Sequence, residues 1–253
     1  MELPINQFKR RLKNGDQMQG VWNAIGGPIV PEILAVAGYD WILVDTEHSP
    51  LEVTGVLPVL QTIAAYPETS PIVRPAANDT VLIKRHLDLG IQTLLIPYVQ
   101  NESEAKAAIA ATRYPPEGVR GVSGLTRATR FGAIANYAQK VNEELCVILQ
   151  VETLEAVSRI EAIATTKGVD AVFIGPADLA ASMGYAGNPN HPEVADLVRS
   201  LITRLKELNV PSGILTTNPD FAQECKGLGV NFIASAVDAG LLSAALKADR
   251  AAF

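Results

Sequence analysis

Eight short apolar runs recur along the chain, and helical patterns separate them almost to the last residue. The runs are Gly20–Ile25, Trp41–Asp45, Pro71–Pro75, Thr93–Val99, Leu145–Glu152, Ala171–Gly175, Ser212–Thr216 and Asn231–Ala234. They are rich in Val, Ile and Leu without polar alternation, which is how parallel strands buried on both faces read. The clearest helical pattern is Pro192–Asn209, where Val194, Leu197, Val198, Leu201, Ile202, Leu205 and Leu208 form one stripe at helical spacing. Pro192 suits a first turn, and Gly38, Gly90, Gly168 and Gly229 fall where helices must end before the next strand. Eight units of roughly 32 residues each match the size of a strand–helix repeat. No GxGxxG follows the first run, which argues against an open dinucleotide-binding sheet. The predicted fold is α/β, a closed (β/α)8 TIM barrel that takes up residues 1–253 as a single domain.

Composition removes several classes of partner. Lys and Arg number 21 against 27 Asp and Glu, a net charge of −6, so no basic face is expected for nucleic acid or for an anionic membrane. A small anionic substrate stays open, because it needs only one or two well-placed cations. The two cysteines, Cys146 and Cys225, cannot build a disulfide framework, and reduced thiols are expected. The opening residues MELPINQFKRRLKNG contain no apolar core of a signal peptide. The longest uncharged stretch, Val53–Pro67, contains two prolines and falls short of the ~20 apolar residues of a membrane helix. The expectation is a cytoplasmic protein.

One connection is out of scale. Tyr114–Gly132 is rich in Pro and Gly and carries Arg120, Arg127 and Arg130. Long irregular loops in compact domains serve as lids or subunit contacts, or run as solvated excursions; both readings stand.

Barrel active sites lie at the C-terminal ends of the strands. There the sequence places Asp45-Thr46-Glu47-His48, Arg74, Gln150-Val151-Glu152 and Gly175-Pro176-Ala177-Asp178, with Trp22 and Leu215 ending the first and seventh runs. Glu152 and Asp178 sit on consecutive strands and could share a hard divalent cation, which prefers carboxylate oxygens and water. Each acid alone could equally cap the helix that follows it. Arg74, alone in an apolar run, needs an anionic partner: a carboxylate or enolate substrate, or structurally Asp45 or Glu47. His48 can serve as acid or base, and Asp45, three residues earlier, could orient it.

Other chemistries are disfavoured. All nine lysines fall in helical or N-terminal segments, so none projects into the mouth to form an imine. The three histidines contain no HxH pair, and no paired-cysteine spacing suits zinc. No glycine-rich loop follows the seventh or eighth run to cradle a phosphate.

WILVDTEHSP, IVRP, HLDLGIQTLLIPYVQN, RYPPEGVRG, LQVET and VFIGPADLAASMG, in this order, resemble the HpcH/HpaI family of class II pyruvate aldolases, including 4-hydroxy-2-oxoheptanedioate and 2-dehydro-3-deoxyglucarate aldolases. The resemblance implies reversible retro-aldol cleavage of 4-hydroxy-2-oxo acids to pyruvate or hydroxypyruvate and an aldehyde. It implies Glu152 and Asp178 as ligands of a divalent cation (Mg²⁺, Mn²⁺ or Co²⁺), His48 as general base and Arg74 as enolate stabiliser. It further implies that Gln150, Gly175 and the Ala177 amide meet pyruvate, with Trp22 and Leu215 lining the pocket. Asp88 is implied to raise the basicity of the histidine, yet it closes the helix after the third strand, at the far face of its own barrel. It can reach a site only across a subunit contact. The family assembles as a hexamer, a trimer of dimers, and exchanges its last helix, here Leu241–Ala252. Two rival readings are an acyl-CoA lyase of the citrate lyase β-subunit type and a non-catalytic structural or regulatory barrel. The first needs a basic surface for the CoA phosphates, which only the Tyr114–Gly132 loop could offer. The intact set of site residues counts against the second.

Overall fold

The computed structural model describes residues 1–253. Eight parallel strands close into a barrel in sequence order, β1-β2-β3-β4-β5-β6-β7-β8. They are β1 (Met18–Asn23), β2 (Trp41–Asp45), β3 (Ser70–Arg74), β4 (Thr93–Ile96), β5 (Cys146–Val151), β6 (Ala171–Ile174), β7 (Ser212–Leu215) and β8 (Phe232–Val237). The helices are α1 (Gln7–Lys13), α2 (Ile29–Val36), α3 (Val53–Ile63), α4 (Thr80–Asp88), α5 (Glu102–Thr112), α6 (Tyr137–Glu144), α7 (Leu154–Ser158), α8 (Ile160–Ala164), α9 (Pro176–Ser182), α10 (Pro192–Glu207), α11 (Pro219–Leu228) and α12 (Asp238–Ala252).

The (β/α)8 expectation holds, and the differences lie at strand ends. β1 stops at Asn23 because the Ala24 and Ile25 N–H groups donate to the Asp238 carboxylate, at 3.0 and 3.1 Å. β8 runs on to Val237 because, beyond a bulge at Gly20/Val21, Ala236 and Val237 pair with Val21 and Trp22. β4 ends at Ile96 because Pro97 brings no N–H to the ladder. The Pro192 helix forms as read, with Val194, Val198, Leu201, Ile202 and Leu205 buried. Gly229 caps α11 with φ 105°, a left-handed turn that costs glycine least.

Two cores share the barrel wall. Outward-facing strand residues such as Ile42, Val44, Val147, Leu149 and Val151 pack under the helices in one large cluster. Inward-facing Trp41, Leu43, Ile72, Leu95, Cys146, Ile148, Phe173 and Phe232 fill the barrel in a second. This period of two positions the site, because the inward register of each strand runs upward from apolar to polar: Trp41, Leu43, Asp45; Ile72, Arg74; Cys146, Ile148, Gln150. Strand residues that leave room for the interior rings are small. A Cβ on Gly20 would lie 2.1 Å from the Trp41 ring.

The sequence did not point to α1, which plugs the barrel floor. Phe8 and Leu12 join the interior cluster, and buried Lys9 meets Asp170 at 3.2 Å and the Leu145 carbonyl. Phe8 starts an aromatic column that continues through edge contacts with Trp41 and Phe232, at 6.3 and 5.3 Å between centroids. From there it reaches Trp22 under the mouth, 6.4 Å from Trp41.

The long connection is part buried and part exposed. Arg120 is fully buried over the Tyr114 ring, while Val119, Val122, Leu125 and Phe131 are exposed. α12 covers little of its own barrel. Only Asp238 is buried in it, Leu241, Leu242 and Leu246 are exposed, and a hollow of ≈ 380 Å³ remains over β8 and the start of β1. No helix is long and apolar enough to cross a membrane.

His86 of α4 lies buried beneath the end of β2, with Nε2 3.5 Å from the Thr46 hydroxyl and Nδ1 without a partner. Burial, helped by the charge of Arg85, lowers its pKa from 6.5 to about 4. As pH falls below 6.5 the unfolded chain takes the proton first, so stability is complete above 6.5 and is lost toward pH 4. This imidazole should account for about 2 kcal/mol of lost stability between pH 7 and pH 5. Urea titrations of the protein and of His86→Leu at both pH values should show that the variant lacks this part of the acid-side loss. Equal losses in the two proteins would refute it.

Candidate active site

A cavity of ≈ 230 Å³ opens at the C-terminal ends of the strands. Its wall includes Trp22, His48, Arg74, Gln150, Gly175, Ala177, Asp178 and Leu215. Eight of the sequence-predicted site residues therefore meet at one surface. Phe173, Asn190, Thr217 and Phe221 also line it, and the sequence had not singled them out.

The floor is an ion-pair fork. Arg74 Nε and Nη2 donate to Asp45 Oδ1 and Oδ2 at 2.9 and 2.7 Å, both side chains being almost fully buried. The guanidinium lies 5.1 Å over the Trp22 ring, and its Nη1 stands 2.9 Å from Glu47 Oε2 without hydrogen-bond geometry. Burial alone would raise the Asp45 carboxyl, but the hydrogen bonds and charge of Arg74 outweigh it and hold Asp45 below its usual range. Asp45 is thus placed on Arg74 and on the Glu47 N–H (3.0 Å), so the orienting role toward His48 expected of it is not what the structure displays. The reason is register: Asp45 pairs directly with Arg74 across β2 and β3, whereas His48 lies beyond the strand on an exposed turn. The nearest acid to His48 is Glu47, 3.9 Å away.

Glu152 follows β5 and is buried behind Gln150 and Gly175 rather than on the cavity wall itself. Its Oε1 accepts the Tyr98 N–H at 2.9 Å, and its Oε2 accepts the Gln150 amide in a short hydrogen bond. Gly175 lies against it so closely that a Cβ there would be 2.6 Å from Glu152 Oε2. Burial first, then the charges of Asp178 and Glu47, raise the Glu152 pKa to about 7 against the pull of its two donors. Burial also raises Glu47, although Arg74 and His48 pull it down. Asp178 stands in the first turn of α9, exposed to the cavity.

Three carboxyl groups thus influence one another here, and the one guanidinium facing them is already forked to Asp45. Such a cluster is relieved by a cation. The donors are all oxygen, which suits a hard divalent ion. No three His, Cys, Asp or Glu side chains surround a single point, so an ion held by Glu152 and Asp178 would take its other ligands from water or substrate oxygens. The buried Gln150 Oε1 beside them also lacks a partner. The residues fit such an ion.

Asp88 is not part of this cluster. As the last residue of α4 it lies at the opposite end of the barrel, paired with Arg120 at 2.8 Å. Glu47, which the sequence offers only as a structural partner for Arg74, belongs to this cluster; its position two residues after Asp45 is the signal for it.

The family profile described as HpcH/HpaI aldolase/citrate lyase matches residues 19–245. The chain is 58% identical over 253 residues to a pyruvate aldolase of Rhizobium etli, covering 100% of this chain and 99% of that one. It is 51% identical to a hydroxypyruvate/pyruvate aldolase of Sagittula stellata, covering 99% of each. A crystal structure of an HpcH/HpaI aldolase/citrate lyase family protein from Burkholderia cenocepacia superposes with a TM-score of 0.91 at 38% identity, covering 98% of this chain and 97% of that one.

The tight approach of Gly175 to Glu152 gives a direct test. Gly175→Ala should leave far-UV circular dichroism unchanged and weaken the binding of Mn²⁺, measured by calorimetry without substrate, by tenfold or more. Binding at wild-type strength would show that the carboxylate position does not matter to the ion.

Proposed function

The chain belongs to the HpcH/HpaI aldolase/citrate lyase family, and from that premise we propose that its barrel mouth cleaves and forms the C3–C4 bond of 4-hydroxy-2-oxo acids. It is an aldolase, a carbon–carbon lyase. The products are pyruvate or hydroxypyruvate and an aldehyde. The observation that carries the reading is the asymmetry of the barrel mouth: Asp178 on the cavity wall with Glu152 buried beside it after β5, against a fixed arginine and a histidine on the β2–β3 side.

Glu152 and Asp178 would hold the divalent cation, and Mg²⁺, Mn²⁺ and Co²⁺ all suit their oxygens. When bound, the ion supplies Lewis-acid stabilisation for charge developing on the 2-oxo group. The remaining work falls to the chain. Gln150 and the first-turn N–H of Ala177 at α9 would meet the pyruvate carboxylate and keto group, since an anion is favoured at a helix start. Arg74, its plane fixed by Asp45 and Trp22, adds positive charge where the enolate forms and needs no reorganisation to do so. In the cleavage direction His48 takes the proton of the C4 hydroxyl, the C4 oxygen becomes the aldehyde carbonyl, and the C3–C4 electrons pass into the enolate. The enolate then takes a proton at C3 to give pyruvate. In synthesis the protonated His48 returns its proton to the new alkoxide.

The assembly reading is a homo-oligomer, a trimer of dimers with α12 exchanged between partners. It is supported by the exposed Leu241, Leu242 and Leu246 of α12 and by the exposed Ile29, Ile33 and Val36 on one face of α2. A second subunit is also what Asp88 would need to meet a neighbour's histidine. The same reading takes residues 1–253 as one aldolase domain in the cytoplasm.

The test follows the C3 protons of pyruvate by NMR in D₂O. Exchange should require a divalent ion, and Glu152→Ala should abolish it. Undiminished exchange in that variant would sink the assignment. Arg74→Lys, which keeps the charge but loses the fork, should lower kcat by about 100-fold, the scale of removing one preorganised donor.

A further inference from the structure

Tyr98 stands at the mouth in a left-handed backbone conformation, φ 55°. A bulky residue seldom adopts this region, and where one does, the surroundings over-determine it. Side-chain packing does not account for it, because the residue is 58% exposed. The backbone supplies the reason. β4 pairs with β5 up to Ile96 opposite Leu149, and the next link is Val99 N–H to the Gln150 carbonyl at 3.2 Å. In unbroken register the Gln150 carbonyl would take the N–H of residue 98, so β4 carries one residue more than β5 here. Parity records the same slip: Ile96 and Val99 both pack in the outer core, whereas strict alternation would send one of them inward. Pro97 has no N–H to lose, and the N–H of Tyr98 leaves the ladder for Glu152 Oε1 at 2.9 Å.

We propose that the Pro97–Tyr98 kink is a positioning device for Glu152: it turns one backbone N–H out of the sheet and aims it at the carboxylate oxygen that Gln150 does not hold. Tyr98 is thus a positioning residue, acting through its backbone rather than its phenol. The inference rests on the reading of Glu152 as a cation ligand. Its physical content is preorganisation. With Oε2 on Gln150, Oε1 on Tyr98 and Gly175 packed alongside, the carboxylate has one orientation before any ion arrives.

Substitutions that keep the N–H but change the cost of a left-handed backbone separate this from other roles. Tyr98→Gly favours positive φ, and β-branched Tyr98→Val resists it. Mn²⁺ affinity should be measured without substrate, alongside circular dichroism and thermal melting. The Val variant should bind at least tenfold more weakly with its fold intact, and the Gly variant should stay within twofold of wild type. Wild-type affinity in the Val variant overturns the proposal. So does equal weakening in both, which would assign the effect to the phenol. Glu152→Ala is the parallel arm: if it binds Mn²⁺ normally, the ligand reading fails, and if it alone loses Mn²⁺, only the kink's role fails. Should the Val variant not fold, ¹⁵N-tyrosine labelling gives six tyrosine amides to follow in the wild-type protein. One of them should be assignable to Tyr98 by its loss in Tyr98→Gly, and it should shift strongly in Glu152→Ala. An unmoved Tyr98 amide also overturns the proposal.

Discussion

The interaction on which the mouth depends is the fork between Arg74 and Asp45. It sits almost fully buried at the level where the barrel interior changes from apolar to polar. A buried pair of this kind gains little net stability over an apolar pair, because desolvation offsets the attraction. Its effect is local and electrostatic. By neutralising Arg74 with Asp45, the fold leaves Glu47, Glu152 and Asp178 without a full cationic partner. Burial first, and then the uncompensated charges of Asp178 and Glu47, raise the Glu152 carboxyl to about 7 and make the site receptive to a divalent ion. The same fork sets the guanidinium plane over Trp22, so orientation and charge deficit come from one contact.

The fork can be rigid because the interior below it is rigid. Trp22 under the guanidinium packs on Trp41 and Phe173, which reach Phe232 and finally Phe8 on the floor plug. Large rings with few torsions fill this column, and each edge contact adds to the burial of its area. Gly20 and Gly213 exist in the wall because Trp41 and Phe232 take the space their side chains would need. The barrel is therefore a packed core whose upper surface is chemical.

Most of this organisation was legible in the sequence, for a physical reason. Strand alternation and eightfold repetition are local patterns, so the closed barrel and the residues that cross from apolar to polar along each inward register could be read directly. What could not be read depended on backbone angles or on distant partners. The left-handed Tyr98 leaves no trace in composition, since Pro97–Tyr98 looks like a strand continuing. Asp45 sits three residues before His48, and sequence proximity suggested a pair; the register instead sets it opposite Arg74. The floor plug α1 carries only two apolar residues, Phe8 and Leu12, among charged ones, too short a pattern to point to the core. Asn190 and Thr217 come from loops without periodicity, and only the closed barrel brings them to the cavity.

One consequence concerns where variation among such barrels can act. The carboxylates, the fork and the kink of β4 are fixed by strand register and by backbone donors, so a change in any of them disturbs the wall itself. Asn190 and Thr217 line the cavity from loops after α9 and β7, and Phe221 from the first turn of α11. There a substitution alters the shape of the cavity without touching the floor. The physical division is therefore between a part that holds the charged groups, built on strand ends and backbone donors, and a part that sets the shape of the cavity, built on the segments after α9 and β7. Rigid elements carry the first because small displacements of a charge are costly, and loops carry the second because shape tolerates revision.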